Sequence, residues 1–322
     1  MGIGSYIRRI GRKRGDGRGL SRTEAADLMR QIFNGSATDL EVGAFCMAMR
    51  IKGETSDEFV GFLDALAESS ITVKSDDSAP VVVIPSYNGA RKIPVLTPLL
   101  GLLLARQGLP VLIHGMASED QRVTSGHVLR ALGIDASKAT DILKPGELRF
   151  METPALSAGL ARLLNVRRQL TLRNTGHSLA KMFDPVVGRS LLLSSYTHGE
   201  YSDVMQAAFS AHRKSVLLFH GVEGEVITET RRLPETQFIC DGAESPVRLL
   251  VGPELDLGID SGRGLHLPVD LVDLSAAGTA AYIRRILNGE QEAPREIWAQ
   301  VQLVIKALQM LTVPYRPAES VG

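Results

Sequence analysis

Apolar positions across residues 1–70 recur at helical spacing and are punctuated by helix-start signals. Ser21-Arg22-Thr23-Glu24 is a capping box, in which a hydroxyl and a carboxylate three residues apart satisfy each other's backbone amides. Behind it Ala25, Leu28, Met29, Ile32 and Phe33 fall on one face, and Gly35 follows as a stop signal. The box repeats at 38–41, ahead of a helix carrying Phe45 and Met49. It repeats again at 55–58, ahead of Phe59, Phe62, Leu63 and Leu66. Three capped amphipathic helices in succession predict a bundle.

Beyond a polar linker the period changes. Short apolar runs at 81–84, 110–113, 191–195, 216–219 and 247–251 alternate with helical patterns at 98–107, 123–132, 201–212, 279–287 and 295–311. Such alternation predicts a mainly parallel sheet with helices on both faces. The polar-amphipathic helical stretch around 155–183 is placed to return to the first lobe. The expected fold is therefore α/β in two lobes. Residues 1–75, joined by about 155–186, form an N-terminal helical bundle, and 76–154 with 187–322 form an α/β domain around a central, mainly parallel sheet.

Composition narrows the function classes. The formal net charge is zero, so no global field points to nucleic acid or membrane. Cys46, on an apolar helix face, and Cys240 suit a reduced compartment better than a disulfide framework. The most apolar run, 95–105, is too short to span a bilayer, and the N-terminal stretch has no apolar core of signal-peptide length. A soluble cytoplasmic protein with no membrane partner is expected. Charge is nevertheless uneven. Residues 1–22 carry Arg8, Arg9, Arg12, Lys13, Arg14, Arg18 and Arg22 against the single Asp16, a local charge of +6. If a helix runs through this stretch, Arg8 and Arg12 share a face, as do Arg9 and Lys13, while Ile7 and Ile10 anchor it. Such density is an electrostatic footprint for polyanions, or else a solvated tail.

Ligands of open α/β sheets bind at the carboxyl ends of strands. The turns at 85–90 and 113–117 therefore decide the chemistry. The segments around them carry a resemblance. Residues 20–66, including GAFCMAMRIKGETSDEFVGFLDAL, are similar to the helical domain of anthranilate phosphoribosyltransferases. The similarity continues through HGMASEDQRVTSGHVLRALGI, QLTLRNTGHSLAKMFDPV and AYIRRILNGEQEAP. It implies a helical lobe joined to an α/β lobe, and a homodimer formed through the helical lobe.

The resemblance fails at the residues that carry the reaction. The family holds phosphoribosyl pyrophosphate in a GTGGDG turn followed by an NxST segment. Here the turn reads Pro85-Ser86-Tyr87-Asn88-Gly89-Ala90, followed by Val95-Leu96-Thr97. One glycine remains, and Pro85 removes an amide donor. The family's KHGNR becomes Ile113-His114-Gly115-Met116-Ala117, and its magnesium-holding DGLDE becomes Glu223-Gly224-Glu225, one residue short. A degenerate donor site is thus expected at Ser86, Asn88, Gly89, Thr97, His114 and Gly115. A degenerate acceptor site is expected at Arg173, which matches the family's anthranilate-contacting arginine. Glu223 and Glu225 read as a solvated turn. His177 and His220 read as capping or core groups rather than acid–base groups.

Basic residues stand where the motif is lost, at Arg91 and Lys92, unless these are plain surface positions. The stretch PSYNGARK, with the basic N-terminal segment, resembles the divergent YbiB-like branch of the family. That resemblance implies nucleic-acid binding. Two readings stand. One is a non-catalytic, largely sequence-tolerant nucleic-acid-binding homodimer. It needs no cofactor and holds the phosphates of DNA, RNA or both through Arg8, Arg9, Arg12, Lys13, Arg14, Arg18, Arg91 and Lys92. The other is an active glycosyl or phosphoribosyl transferase of tryptophan biosynthesis with an altered donor site, in which Glu225 would still hold Mg2+.

Overall fold

In a computed structural model, the structure describes residues 2–12, 19–76, 78–117, 121–137, 142–240, 247–249, 271 and 273–312. The bundle begins with α1 (Gly4–Ile10), α2 (Arg22–Phe33), α3 (Asp39–Lys52) and α4 (Ser56–Glu68). Then follow β1 (Val73–Lys74), β2 (Val81–Pro85), α5 (Thr97–Arg106), β3 (Val111–Gly115), α6 (Ser125–Ala131), β4 (Leu148–Glu152) and α7 (Thr153–Leu156). Next come α8 (Ala158–Leu170), α9 (Thr175–Met182), β5 (Val186–Val187), β6 (Ser190–Tyr196), α10 (Glu200–Ala211) and β7 (Val216–His220). The strands β8 (Gln237–Ile239) and β9 (Val247–Arg248) and the helices α11 (Ala276–Leu287) and α12 (Arg295–Thr312) complete the described chain.

All three capping boxes form, at Ser21, Thr38 and Thr55. The apolar stripes behind them meet in one core, where Phe45 and Phe62 pack edge to face with centroids 6.0 Å apart. The third box does a second job. Glu58 is fully buried, and its carboxylate accepts from the amides of Leu20 (2.9 Å) and Thr55 (2.8 Å) and from Lys52 Nζ (2.7 Å). One carboxylate therefore ties the entry to α2, the end of α3 and the start of α4.

The main sheet runs β4-β3-β2-β6-β7-β8-β9, with the five strands from β4 to β7 parallel and β8 and β9 antiparallel. The chain is α/β, with a helical N-terminal part and a mainly parallel sheet. Successive strand residues point to opposite faces. Val81, Val83, Leu112, Leu192 and Leu218 join the core shared with the bundle helices, α8 and α9. Val82, Ile84, Ile113, Leu193 and Phe219 join a second core under α5, α11 and α12. Burial on both faces explains why these strands read as continuous apolar runs.

Several expectations change. The strand β4 was not legible, because Arg149 and Glu152 interrupt its apolar pattern. Arg149 is buried and paired with Glu147 at 2.6 Å, which lets a charge lie inside the sheet. The first helix ends at Ile10, with Gly11 as its cap, so Arg8 and Arg12 do not share a helical face. Its anchoring is as read: Ile10 is buried, joined by Ile3, and Ile7 is half-buried. Lys13, Arg14, Arg18 and the run beyond Leu249 in the 247–251 pattern lie outside the described residues. Among the described residues no helix is long and apolar enough to cross a membrane.

Replacing Glu58 tests the carboxylate tie. Glu58→Ala leaves Lys52 and two amides without their acceptor in a dry site, and is expected to destabilise the fold by about 3–5 kcal/mol. Urea unfolding reads this directly, with Glu58→Gln falling between the parent and the alanine variant. A loss below about 1 kcal/mol, the level of a surface pair, would reassign the bundle's cohesion to its apolar core alone.

A cation-lined cleft beside a filled phosphate cradle

The strand β2 ends at Pro85, and the turn 86–90 is pressed between two neighbours that admit only glycine. A Cβ on Gly115 would lie 1.9 Å from the Ser86 carbonyl oxygen. A Cβ on Gly89, whose φ is +64°, would lie 2.4 Å from the Val123 carbonyl oxygen. The turn is thereby fixed against the end of β3 and the approach to α6, with its amides facing inward.

Those amides have an acceptor from the chain itself. Glu225, 3% exposed, reaches in from the loop after β7. Its Oε1 accepts from the amides of Gly89 (2.8 Å) and Asn88 (3.2 Å), and its Oε2 accepts from Thr97 Oγ1 (3.0 Å) and from the Ser86 hydroxyl. Glu223 accepts from the Arg91 amide at 2.7 Å and faces Arg122 at 3.7 Å. The expectation of a solvated turn at Glu223 and Glu225 is therefore wrong. Amides freed by the loss of the glycine-rich turn still need an acceptor, and the loop after β7 supplies one. This arrangement does not fit magnesium. Both Glu225 oxygens already accept from N–H and O–H donors, and no further carboxylate joins them.

Beside the cradle opens a cleft of about 480 Å3 between the bundle helices and the sheet. Arg50 enters from α3, Arg122 from the approach to α6, Arg167 from α8, Arg173 from the loop before α9 and Lys181 from α9. Arg173 donates to Asn88 Oδ1 and so joins cleft to cradle, while Arg50 donates to the Arg173 carbonyl at 3.2 Å. Arg50, Arg173 and Lys181 form no ion pair among the described residues. The one acid lining this wall, Glu54, has its carboxyl pushed up by burial and accepts from Thr175 Oγ1 at 2.7 Å. Crowding is visible in the cations' own acidity. Burial and the neighbouring Arg173 lower the guanidinium pKa values of Arg122 and Arg167, and Arg91 contributes to both. Lys181 is brought down to about 8 by the same two causes. A cavity of this size, with five cations and the single acid Glu54 among its described lining residues, suits an anion.

The other sequence candidates separate into those at the cleft and those away from it. Asn88, Gly89, Thr97 and Ser86 form the cradle. His114 is buried and bonds the Phe183 carbonyl at 2.9 Å, with burial lowering its pKa to about 4. This bond ties the end of β3 to the end of α9. His177 caps α9, and burial and then Arg173 push its pKa down to about 3. His220 bridges the Thr197 carbonyl and Glu235, each at 3.2 Å. Arg91 and Lys92 are exposed beside the cradle. On α1, Arg8 is exposed but Arg9 is paired with Glu24 at 2.6 Å, and α1 packs on α2 and α3 rather than at the cleft. Arg50, Arg122, Arg167 and Lys181 were not singled out from sequence. Arg50 opens RIKGET, Arg122 lies in HGMASEDQRVTSGH, and Arg167 and Lys181 flank LTLRNTGHS, so they are scattered over more than 130 positions.

Residues 8–70 match the model of the glycosyl transferase family helical bundle domain. The Escherichia coli protein YbiB is 37% identical over 95% of this chain and 94% of its own length. This chain belongs to the anthranilate phosphoribosyltransferase-like family. The anthranilate phosphoribosyltransferase of Methanopyrus kandleri is 29% identical over 85% of this chain and 81% of its own. The crystal structure of the Thermus thermophilus enzyme superposes with a TM-score of 0.66 at 18% identity, covering 95% of this chain and 94% of that one. The Saccharomyces cerevisiae enzyme in complex with PRPP and Mg gives 0.69 at 14% identity, covering 96% and 88%. As a member of this phosphoribosyltransferase-like family the chain keeps the fold, while the cradle at the end of β2 holds its own carboxylate.

The crowding of cations predicts a pH response. Burial and Arg173 both penalise the ammonium, so the folded chain holds the Lys181 proton more weakly than the unfolded chain does. Lys181 is charged below about pH 8 and neutral above it. Stability therefore rises with pH between about 8 and the ordinary lysine value of 10.5, where only the unfolded chain still binds that proton. Acylation of Lys181 followed by mass spectrometry should reach half its limiting rate near pH 8. Arg173→Ala should move that midpoint upward, and an unshifted midpoint near the ordinary lysine value would remove Lys181 from the buried wall.

Proposed function

We propose that this protein is a non-catalytic, largely sequence-tolerant nucleic-acid-binding homodimer built on the phosphoribosyltransferase-like fold. The observation that carries the reading is the combination at the ends of the strands. Glu225 occupies the turn after β2, while Arg50, Arg173 and Lys181 stand beside it without carboxylate partners among the described residues. Transfer of a ribosyl group needs charge stabilisation at the leaving pyrophosphate, and the groups that would supply it are absent or engaged. A wall of cations without geometry for a particular base suits phosphates, which position a nucleic acid without reading its sequence. Arg91 and Lys92 are exposed beside the cradle, and Arg8 and Arg12 are exposed in the first segment, away from the cleft; Lys13, Arg14 and Arg18 add charge in the same segment as Arg8. Arg9 adds less, because Glu24 neutralises it.

Binding of labelled oligonucleotides over a salt series tests this. Log affinity should fall linearly with log salt, by about 0.9 per neutralised phosphate on duplex DNA. Replacing the arginines at 8, 9, 12 and 14 with Ala, or Arg173 and Lys181 with Ala, should weaken binding equally across sequences and flatten the slope. Unchanged affinity and slope in both variants would reject the reading. Turnover of anthranilate and phosphoribosyl pyrophosphate at about 1 per second or more would restore the transferase instead.

The self-association half of the proposal rests on α3. Leu40, Met47 and Ile51 are 84%, 37% and 68% exposed, and with Ala44 they repeat at helical spacing along one face. A second copy of the same stripe is the occupant we assign to it, since an isologous contact is self-complementary. Ile51→Glu should convert a dimer to a monomer in sedimentation equilibrium without loss of helix content. A parent chain that is monomeric at micromolar concentration would refute this half alone.

A further inference from the structure

The Glu225 contacts have the form of a ligand site rather than of loop packing. Two backbone amides, of Asn88 and Gly89, and two hydroxyls, of Ser86 and Thr97, converge on one buried point from the turn after β2 and the first residue of α5. A third hydroxyl, Ser125 Oγ at the start of α6, backs Ser86 Oγ at 2.6 Å. Converging amides and hydroxyls of this kind suit a tetrahedral oxyanion, whose oxygens accept from several directions. A carboxylate supplies two such oxygens.

The loop that delivers the carboxylate is itself under constraint. Glu223 has φ of 51° and Gly224 has φ of 90°, so two consecutive residues lie in the left-handed region. A non-glycine residue persists there only when its surroundings over-determine it. Here they do: Glu223 is held by the Arg91 amide and Arg122, and its carbonyl accepts from Asn88 Nδ2. The backbone adopts a disfavoured form, and what it gains is Glu225 in the cradle.

We infer that Glu225 is a built-in occupant of an oxyanion cradle, a carboxylate standing in for a phosphate group, and that it determines which anions the cleft excludes. With Glu225 in place a phosphate approaching the turn meets a negative charge and donors already engaged. Anions are left the outer wall of Arg50, Arg173 and Lys181. Without Glu225 the same amides and hydroxyls face an open, buried, polar hole. This inference does not depend on nucleic-acid binding.

Calorimetric titration with inorganic pyrophosphate at neutral pH tests it, using the full chain. Glu225→Ala should bind pyrophosphate at least tenfold more tightly than the parent. Adding Thr97→Val to that variant should remove most of the gain, because the hydroxyl at the base of the cradle is lost. Oligonucleotide affinity of the parent chain, measured in parallel, tests the nucleic-acid reading by itself, so failure of that reading is seen separately. The inference is overturned if folded Glu225→Ala binds pyrophosphate no more tightly than the parent. It is equally overturned if the gain survives Thr97→Val, since the anion would then sit elsewhere. Should Glu225→Ala not fold, Glu225→Ser, which also empties the cradle but keeps a polar side chain on the loop, decides: a gain of several fold supports the inference, and parent-like affinity rejects it.

Discussion

Backbone amides at the end of a buried parallel strand must find an acceptor, and in this protein that requirement organises everything around the central sheet. The strand β2 delivers Asn88 and Gly89 into a space closed by Gly115 on one side and Val123 on the other, where water has little room. Glu225 answers the need. Because it comes from the loop after β7, its bonds join two strand ends that β6 separates. The same solution appears in the bundle, where Glu58 satisfies two amides and a lysine from three helical segments. Two buried carboxylates, each surrounded by donors, act as the pins of the two halves. A buried charge is tolerated on these terms because its partners are hydrogen-bonded and complete.

The cleft obeys the opposite rule. Three of its cations, Arg50, Arg173 and Lys181, form no ion pair among the described residues, and the charge of Arg173 raises the cost of charging its neighbours. Burial first and Arg173 second bring Lys181 down to about 8. Arg173 sits at the junction. It touches Asn88 on the cradle side and lowers the proton affinity of Lys181 and Arg167 on the cleft side. Like charges held close together disfavour one another's charged state, and an anion between them would offset that cost.

A fold and the chemistry of its site depend on different residues. The phosphoribosyltransferase-like fold here rests on capped helices and two-sided apolar strands, none of which the altered turns disturb. The donor site rests on a few backbone amides and charged groups at strand ends. Shortening the acidic loop and losing glycines from the first turn left those amides to be satisfied from within.

Local sequence determined most of the architecture. Three capping boxes and their apolar stripes were legible because a helix start and an amphipathic face are set by neighbours within four positions. The parallel strands were legible because burial on both faces leaves continuous apolar runs. The shortened turns were equally legible as a departure from the family pattern. The strand β4 was missed because a charge inside it is paired within the fold, and the end of the first helix because Gly11 stops it before the basic run is complete. Glu225 was misread as a solvated turn, and the cleft cations other than Arg173 went unnoticed, for one reason. Residues 50, 122, 167, 173, 181 and 225 have no common local pattern, and only the packing of sheet against bundle brings them to one point. Electrostatics and hydrogen bonding act over a few ångströms of space whatever the separation along the chain, so the elements could be read from the sequence, while the meeting of their charges was decided by the tertiary structure.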